Sequence, residues 1–304
     1  ARYDDRLDAQ TRAFAMRAQG HFPPDAADRS LATQRWFYDQ MVADFRTPRP
    51  PGLSVVDRMF GPVPVRVYLS VPPRATIVYL HGGGFIRGSL DSDDDLCVDI
   101  CRQTGFRVVS VGYRLAPEHV HPAAYEDSLL VAREAGDLYS GPLTIVGVGA
   151  GATMAACVTQ ALRGGSVPVA RQVLVHGVFG AARSSGSYLD HANAPMLTRE
   201  DCQFHEDVRF GGAAPIKDAT AFALHASDLT GVPKTILFSA ECDPTSDEGR
   251  QYRNALVAAG CDAEWHCEAG LVHGYIRARH CSDRAASGFA RVVAAIGRLG
   301  RPQG

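Results

Sequence analysis

The chain has 304 residues, 46% hydrophobic and 21% charged, with 31 basic against 33 acidic side chains and a formal net charge of −2. This mix excludes a disordered chain and argues against nucleic acid or an anionic membrane surface as the main partner. The length allows one large α/β domain or two small ones, and no run approaches the ~18 apolar residues that span a bilayer.

Residues 1–47 read as helical. Arg6 to Met16 is charged and Ala-rich, and a second pattern follows Ser30 with Leu31, Phe37, Met41, Val42 and Phe45 at helical spacing. Pro48, Pro50 and Pro51 end it. Gly52–Phe60 and Val63–Val71 then read as a strand pair joined at Gly61-Pro62. Beyond this, short apolar strands alternate with helices. The strands are Thr76–Leu80, Phe106–Val111, Leu143–Val146, Gln172–Val175, Lys234–Ser239 and Ala263–Cys267. The helices are Asp94–Thr104, Pro122–Ala135, Ala150–Leu162, Asp247–Ala259 and a closing Arg284–Leu299. Continuous apolar strands alternating with helices predict a parallel sheet covered on both faces, with its ligand beyond the carboxyl ends of the strands. Residues 178–230 break the alternation. They hold one helix near Glu200–Arg209, opened by a capping box from Thr198 to Asp201. This interval reads as an insertion above the strand ends, joined there by residues 1–47. No internal repeat or low-complexity segment occurs.

Of the basic residues only Lys217 and Lys234 are lysines. The excess of arginine fits coding bias in a GC-rich genome, with arginine–carboxylate pairing as a second contributor. The eight cysteines sit in apolar segments of a long chain, which predicts buried reduced thiols rather than a disulfide framework. The opening Ala1-Arg2-Tyr3-Asp4-Asp5-Arg6 has no apolar signal-peptide segment, and the expected compartment is the cytoplasm.

Four segments can carry chemistry. His81-Gly82-Gly83-Gly84-Phe85 follows a strand, and its glycines let backbone N–H groups face a cavity and hold a developing oxyanion. Gly147-Val148-Gly149-Ala150-Gly151 lies between a strand and a helix, the setting of the nucleophile elbow G-x-S-x-G. Its central residue is Gly149, which offers no side chain. A phosphate-cradling role is disfavoured because the run lacks G-x-G-x-x-G. Glu241-Cys242-Asp243-Pro244 and Gly270-Leu271-Val272-His273-Gly274-Tyr275 follow the last two strands. They complete the order elbow, acid, base, in which Asp243 holds the His273 tautomer and His273 moves protons. Asp243 also suits a helix cap. Trp36, Phe37 and Phe85 either line a substrate pocket or pack. Asp93-Asp94-Asp95 reads as a charged helix start rather than a metal site. Cys202-x-x-His205 and His266-Cys267 lack partners at ligand spacing, so no metal is expected.

On these residues the chain resembles the hormone-sensitive-lipase-like branch of the α/β-hydrolases, which includes bacterial acetyl esterases. The likeness spans about residues 50–300. It rests on His81–Phe85 with Arg87-Gly88-Ser89-Leu90-Asp91, on Tyr113-Arg114-Leu115-Ala116-Pro117-Glu118-His119, on the elbow, on Asp243-Pro244 with Asp247-Glu248-Gly249, and on His273-Gly274-Tyr275. The resemblance implies a mostly parallel eight-stranded sheet with helices on both faces, in one domain over 1–304 with a helical lid from 1–47 and 178–230. It implies an oxyanion hole from Gly82, Gly83 and the N–H of Ala150, Asp243 and His273 as triad members, and no cofactor. Three departures stand around one site: Val148 for the family's usual Asp, Gly149 for its Ser, and Gly112 for the Asp before Tyr113. Natural divergence accounts for three changes better than a single introduced one. Three functions follow as expectations. The first is an enzyme working on a small carbonyl or ester molecule by oxyanion hole and His–Asp acid–base chemistry: elimination, cyclisation, decarboxylation or rearrangement. The second is a carboxylic ester hydrolase in Ser-to-Gly inactive form. The third is a non-catalytic binding protein. A homodimer through the closing helix or a sheet edge stays open.

Overall fold

The computed structural model describes residues 3–70, 72–184, 186–213 and 217–298. Val71 and Leu299, expected to end a strand and the closing helix, lie outside them. Two helices come first. Helix α1 spans Ala9–Gln19 and α2 spans Leu31–Phe45; Asp8 and Ser30 cap them, accepting from the N–H groups of Thr11 and Thr33. The Asp8 cap places the first helix three residues later than the charge pattern suggests. Strands β1 (Ser54–Phe60) and β2 (Val63–Leu69) form the expected hairpin, with Phe60 opposite Val63. Then follow β3 (Thr76–Leu80), α3 (Asp94–Thr104), β4 (Arg107–Val111), α4 (Ala123–Leu138), β5 (Leu143–Val148), α5 (Ala150–Leu162) and β6 (Val169–Val175). After them come the short α6 (Ser187–Asp190), α7 (Arg199–Phe210), β7 (Lys234–Cys242), α8 (Ser246–Ala258), β8 (Ala263–Val272) and α9 (Asp283–Gly297). The strands form one eight-stranded sheet in the order β1-β2-β4-β3-β5-β6-β7-β8. The β1–β2 and β2–β4 pairs are antiparallel and the other five are parallel. This is the α/β fold class the sequence predicts.

All five residues of β3 are buried. Ile77 and Tyr79 pack into one core cluster, with Phe106 and Phe289; Val78 and Leu80 pack into the other, with Met154 and Leu256. Alternate side chains of a central strand thus serve opposite faces, which is why its sequence is apolar throughout. Four free cysteines of the helices (Cys97, Cys101, Cys157 and Cys202) and Cys242 of β7 are buried as expected. Cys267 and Cys281 instead are exposed, Cys267 because β8 is an edge strand. Among the described residues no helix is long and apolar enough to cross a membrane.

The acidic run opens α3 as expected, with Asp93 at the cap position and Asp94 and Asp95 in the first turn, but its carboxylates are not in solvent. Asp93 pairs with Arg277 at 2.9 Å, Asp94 with Arg49 at 2.7 Å and Asp95 with Arg279 at 2.7 Å, and all three carboxylates are buried. Arginine suits such sites because its planar fork matches a carboxylate and stays charged when buried.

A further arginine ties α2 to the loops at the strand ends. Arg35 donates to the Ile86 carbonyl (2.7 Å), to the Ala116 carbonyl (2.9 Å) and to both Glu118 oxygens (2.7 Å each). The bonds from Arg35 hold the Glu118 carboxyl down at about 2, below its ordinary 4.5. A carboxyl lowered on folding contributes stability that is complete above its unfolded pKa and vanishes as pH falls through the folded one. The Glu118→Gln protein is therefore expected to be less stable than the parent above about pH 5, and the gap in urea midpoints should close as pH falls toward about 2. A gap independent of pH would show that the ion pair does not form.

Candidate active site

A cavity of about 680 Å³ opens at the carboxyl ends of the central strands. One wall is the turn between β5 and α5. Gly149 there has φ 55° and ψ −120°, a backbone conformation costly for any residue with a side chain. The flanking glycines are needed for space. A Cβ on Gly147 would lie 2.2 Å from the Gly151 carbonyl oxygen, and one on Gly151 would lie 1.9 Å from that of Leu80. A Cβ on Gly149 itself meets only ordinary contacts, 3.8 Å to the Gly82 Cα and 3.9 Å to His273 Nε2. The turn therefore aims position 149 toward Gly82 and His273 Nε2.

His273 lies just beyond β8 and Asp243 just beyond β7. Asp243 Oδ2 and His273 Nδ1 are 2.7 Å apart, and the Thr245 N–H (2.8 Å) and hydroxyl (2.9 Å) donate to the other oxygen, Oδ1. Burial alone would push the Asp243 carboxyl up, yet the His273 charge and bond, with the Thr245 N–H, hold it below the ordinary carboxylate range. An ionised Asp243 fixes the proton on Nδ1 and leaves Nε2 facing position 149. The acid and the base predicted from chain order are thus brought together; the α8 cap is Thr245, and Asp243 meets the helix start through its carboxylate bonds to Thr245 and through its carbonyl, which accepts from the Ser246 N–H at 3.1 Å.

The Gly82–Gly84 loop, expected to form an oxyanion hole, follows β3. Gly83, Gly84 and Phe85 all have positive φ, and Gly149 packs beside Gly82. The Gly82 N–H, expected in the oxyanion hole, instead donates to Asp93 Oδ2 at 3.4 Å. Among the described residues no protein acceptor takes the N–H of Gly83 or of Ala150 at the first turn of α5. Phe85 lines the cavity, but Trp36 and Phe37 do not. Trp36 is 57% exposed and packs edge-on against Phe37. Helix α2 presents Gln34, Tyr38 and Met41 to the cavity instead, a face set by helical spacing. Phe22 lines the cavity from the same N-terminal segment, and Leu197, Cys202, Arg209 and Phe222 line it from the 178–230 insertion.

Thr153 and Cys157 offer no substitute nucleophile. The Thr153 hydroxyl accepts from the Val178 N–H at 3.0 Å, and burial pushes the Cys157 thiol up to about 12.

Sequence reasoning passed over His176. It follows β6 directly, with φ 55°, and its ring lies 4.9 Å from that of His273 and edge-on to Tyr275. Both ring nitrogens are buried without a hydrogen-bond partner, and burial with the nearby His273 pulls its pKa to about 3, so it is neutral. The available signal was positional: a histidine one residue past a central strand, like His81. Among the described residues His176, Asp243 and His273 form the one trio able to offer three metal-ligating atoms, all within 4.8 Å. Two of those atoms, Asp243 Oδ2 and His273 Nδ1, already bond each other.

The room at position 149 and its absence at 151 set a contrast. Gly149→Ser should fold with a loss of about 1–3 kcal/mol from backbone strain. Gly151→Ala should lose more, about 3 kcal/mol or above, because β3 must move. Urea unfolding of the two variants checks the order; a reversed order would mean the turn is built differently.

Residues 77–277 match the family described as alpha/beta hydrolase fold. The chain is 33% identical to the carboxylesterase NlhH of Mycobacterium tuberculosis over 82% of its own length and 83% of that protein's. It is 29% identical to the acetyl esterase of Salmonella paratyphi B over 89% of its length and 88% of the relative's. The solved structure of a bacterial heroin esterase superposes with a TM-score of 0.85 at 29% identity, covering 97% of this chain and 98% of that one.

Proposed function

The chain belongs to the α/β-hydrolase fold family, and from that premise we propose that it is an enzyme of esterase ancestry that has lost the nucleophile serine and works by acid–base chemistry alone. The observation that carries this reading is the 2.7 Å Asp243–His273 bond kept behind a glycine. The substrate is a small carbonyl or ester compound held under a lid of residues 1–47 and 178–230. The N–H groups of Gly83 and Ala150 receive the charge that grows on the carbonyl oxygen, the Gly82 N–H being given to Asp93. His273 Nε2 removes a proton from carbon or oxygen where the serine hydroxyl would stand, and Asp243 stabilises the imidazolium. The same histidine returns the proton to the leaving atom. This set suits elimination, cyclisation, decarboxylation or rearrangement. A positioned base of this kind contributes about 10²–10⁴-fold. No acyl-enzyme forms, since removal of a triad serine costs about 10⁶ in kcat.

The ester-hydrolase reading has one observation of its own: a side chain at 149 would have room and would face His273 Nε2. Gly149→Ser is expected to give a burst with p-nitrophenyl acetate, and the parent chain none. The acid–base reading is tested with 5-nitrobenzisoxazole, whose ring opens on loss of one proton. We expect turnover above buffer that falls about 100-fold or more in His273→Ala. Turnover unchanged by that substitution would sink the reading and leave a binding protein or a latent esterase, which the burst separates.

A further inference from the structure

The cavity is lined by four arginines: Arg87, Arg183, Arg209 and Arg277. Two are matched. Arg277 pairs with Asp93, and Arg183 pairs with Glu206. The other two have no carboxylate within salt-bridge distance among the described residues. Arg209, on α7, is 4% exposed. Its guanidinium lies 3.7 Å from the ring centre of Phe85, 4.8 Å from that of Phe210 and 5.2 Å from that of Phe222. It donates to the Ala221 carbonyl at 3.0 Å, and its Nε has no partner. Arg87 donates to His205 Nε2 at 2.8 Å, lies near the rings of Phe22 and Tyr38, and likewise has an unpartnered Nε. Accepting that bond keeps His205 neutral, so His205 does not answer the charge. Glu206 and Asp218 act on Arg209, and Asp201 on Arg87, only at longer range. Glu200 and Asp201, also on the lining, are exposed.

Both cations stand at the oxyanion loop. Arg209 covers Phe85. Arg87 reaches the loop through His205, whose ring fills the space that a Cβ on Gly84 would need, 2.6 Å away. His205 and Arg209 are four residues apart on α7 and so share the face turned to the cavity. Arg209 is buried and Arg87 half-buried, each with a buried, unpartnered Nε, and an unpaired buried guanidinium is costly unless an anion meets it. Burial pulls the Arg209 pKa down, and the more distant acidic groups offset part of this, leaving it at about 10 and charged.

We propose that Arg87 and Arg209 form an anion-recognition site for a carboxylate carried by the substrate. The proposal rests on the reading of this cavity as the site of the carbonyl compound, and it narrows that compound to a carbonyl or ester with a second, ionised carboxyl group. The carboxylate is gripped on the α7 side of the oxyanion loop, while the reacting carbonyl lies toward Gly149 and His273. The lining also carries four carboxylates, Asp93, Glu200, Asp201 and Glu206, so the positive character is local to Arg87 and Arg209.

The test is calorimetric titration with two near-isosteric probes, benzyl hydrogen succinate and benzyl methyl succinate, in chloride-free buffer at pH 7. The acid should bind at least about tenfold more tightly than the diester, as a charge-assisted bond of ordinary strength requires. Arg87→Leu and Arg209→Met should each abolish that preference without weakening the diester, and Arg209→Lys should keep part of it. Sulfate should compete with the acid and not with the diester in the unsubstituted protein, which keeps the test decisive if Arg209→Met does not fold. Equal binding, no binding of the acid, or a preference that survives both substitutions overturns the proposal. Binding needs no turnover and should persist in His273→Ala, so failure of the acid–base reading would show separately.

Discussion

The geometry of one turn governs the rest of the site. At the end of β5 the chain reverses into α5 through Gly149, with φ 55°, and it does so only because Gly147 and Gly151 leave room for the Leu80 and Gly151 carbonyls. That turn sets where α5 begins, hence where the Ala150 N–H points. It sets the direction of residue 149 relative to His273. In a hydrolase the strain at this point exposes a nucleophile. Here the strain is relieved by glycine, yet the turn, the loop at Gly82–Gly84 and the Asp243–His273 bond keep the arrangement that a nucleophile would need. That retained frame is the ground on which proton transfer is proposed.

Buried charge is the second theme. Four buried carboxylates are matched by cations, Asp93 by Arg277, Asp94 by Arg49, Asp95 by Arg279 and Asp243 by His273, whereas Glu248 accepts from the Phe179 and Ala181 N–H groups and the Tyr188 hydroxyl. Against that pattern of matching, Arg87 and Arg209 stand out. They are the cations of the cavity whose partners the protein does not supply, and a ligand is the natural source of the missing charge. His176 adds a neutral, unpartnered imidazole behind the dyad, so the floor of the cavity holds hydrogen-bonding capacity that the fold leaves unused.

Much of this was legible in the residues themselves. The central strands were visible because strands covered on both faces cannot alternate polar and apolar residues, as Thr76–Leu80 shows. The dyad was legible from order alone, acid after one strand and histidine after the next. The far end of β8 was not, because Glu268 interrupts the apolar run and is neutralised only by Arg291, on α9. The four-residue α6 is too short for any periodicity. Trp36 and Phe37 looked like pocket residues by type, but helical phase turns Tyr38 and Met41 inward instead. Arg87 and Arg209 were hidden by number: in a chain so rich in arginine, only burial and the absence of a carboxylate single them out.

The central claim is that this chain holds a complete esterase frame lacking only the nucleophile. Intact-mass analysis after treatment with an alkyl fluorophosphonate tests it most directly. The account predicts no adduct on the parent chain, one phosphonyl adduct at residue 149 of the Gly149→Ser protein, and loss of that adduct when His273→Ala is added. An adduct on the parent chain, or none on a folded Gly149→Ser protein, would contradict it.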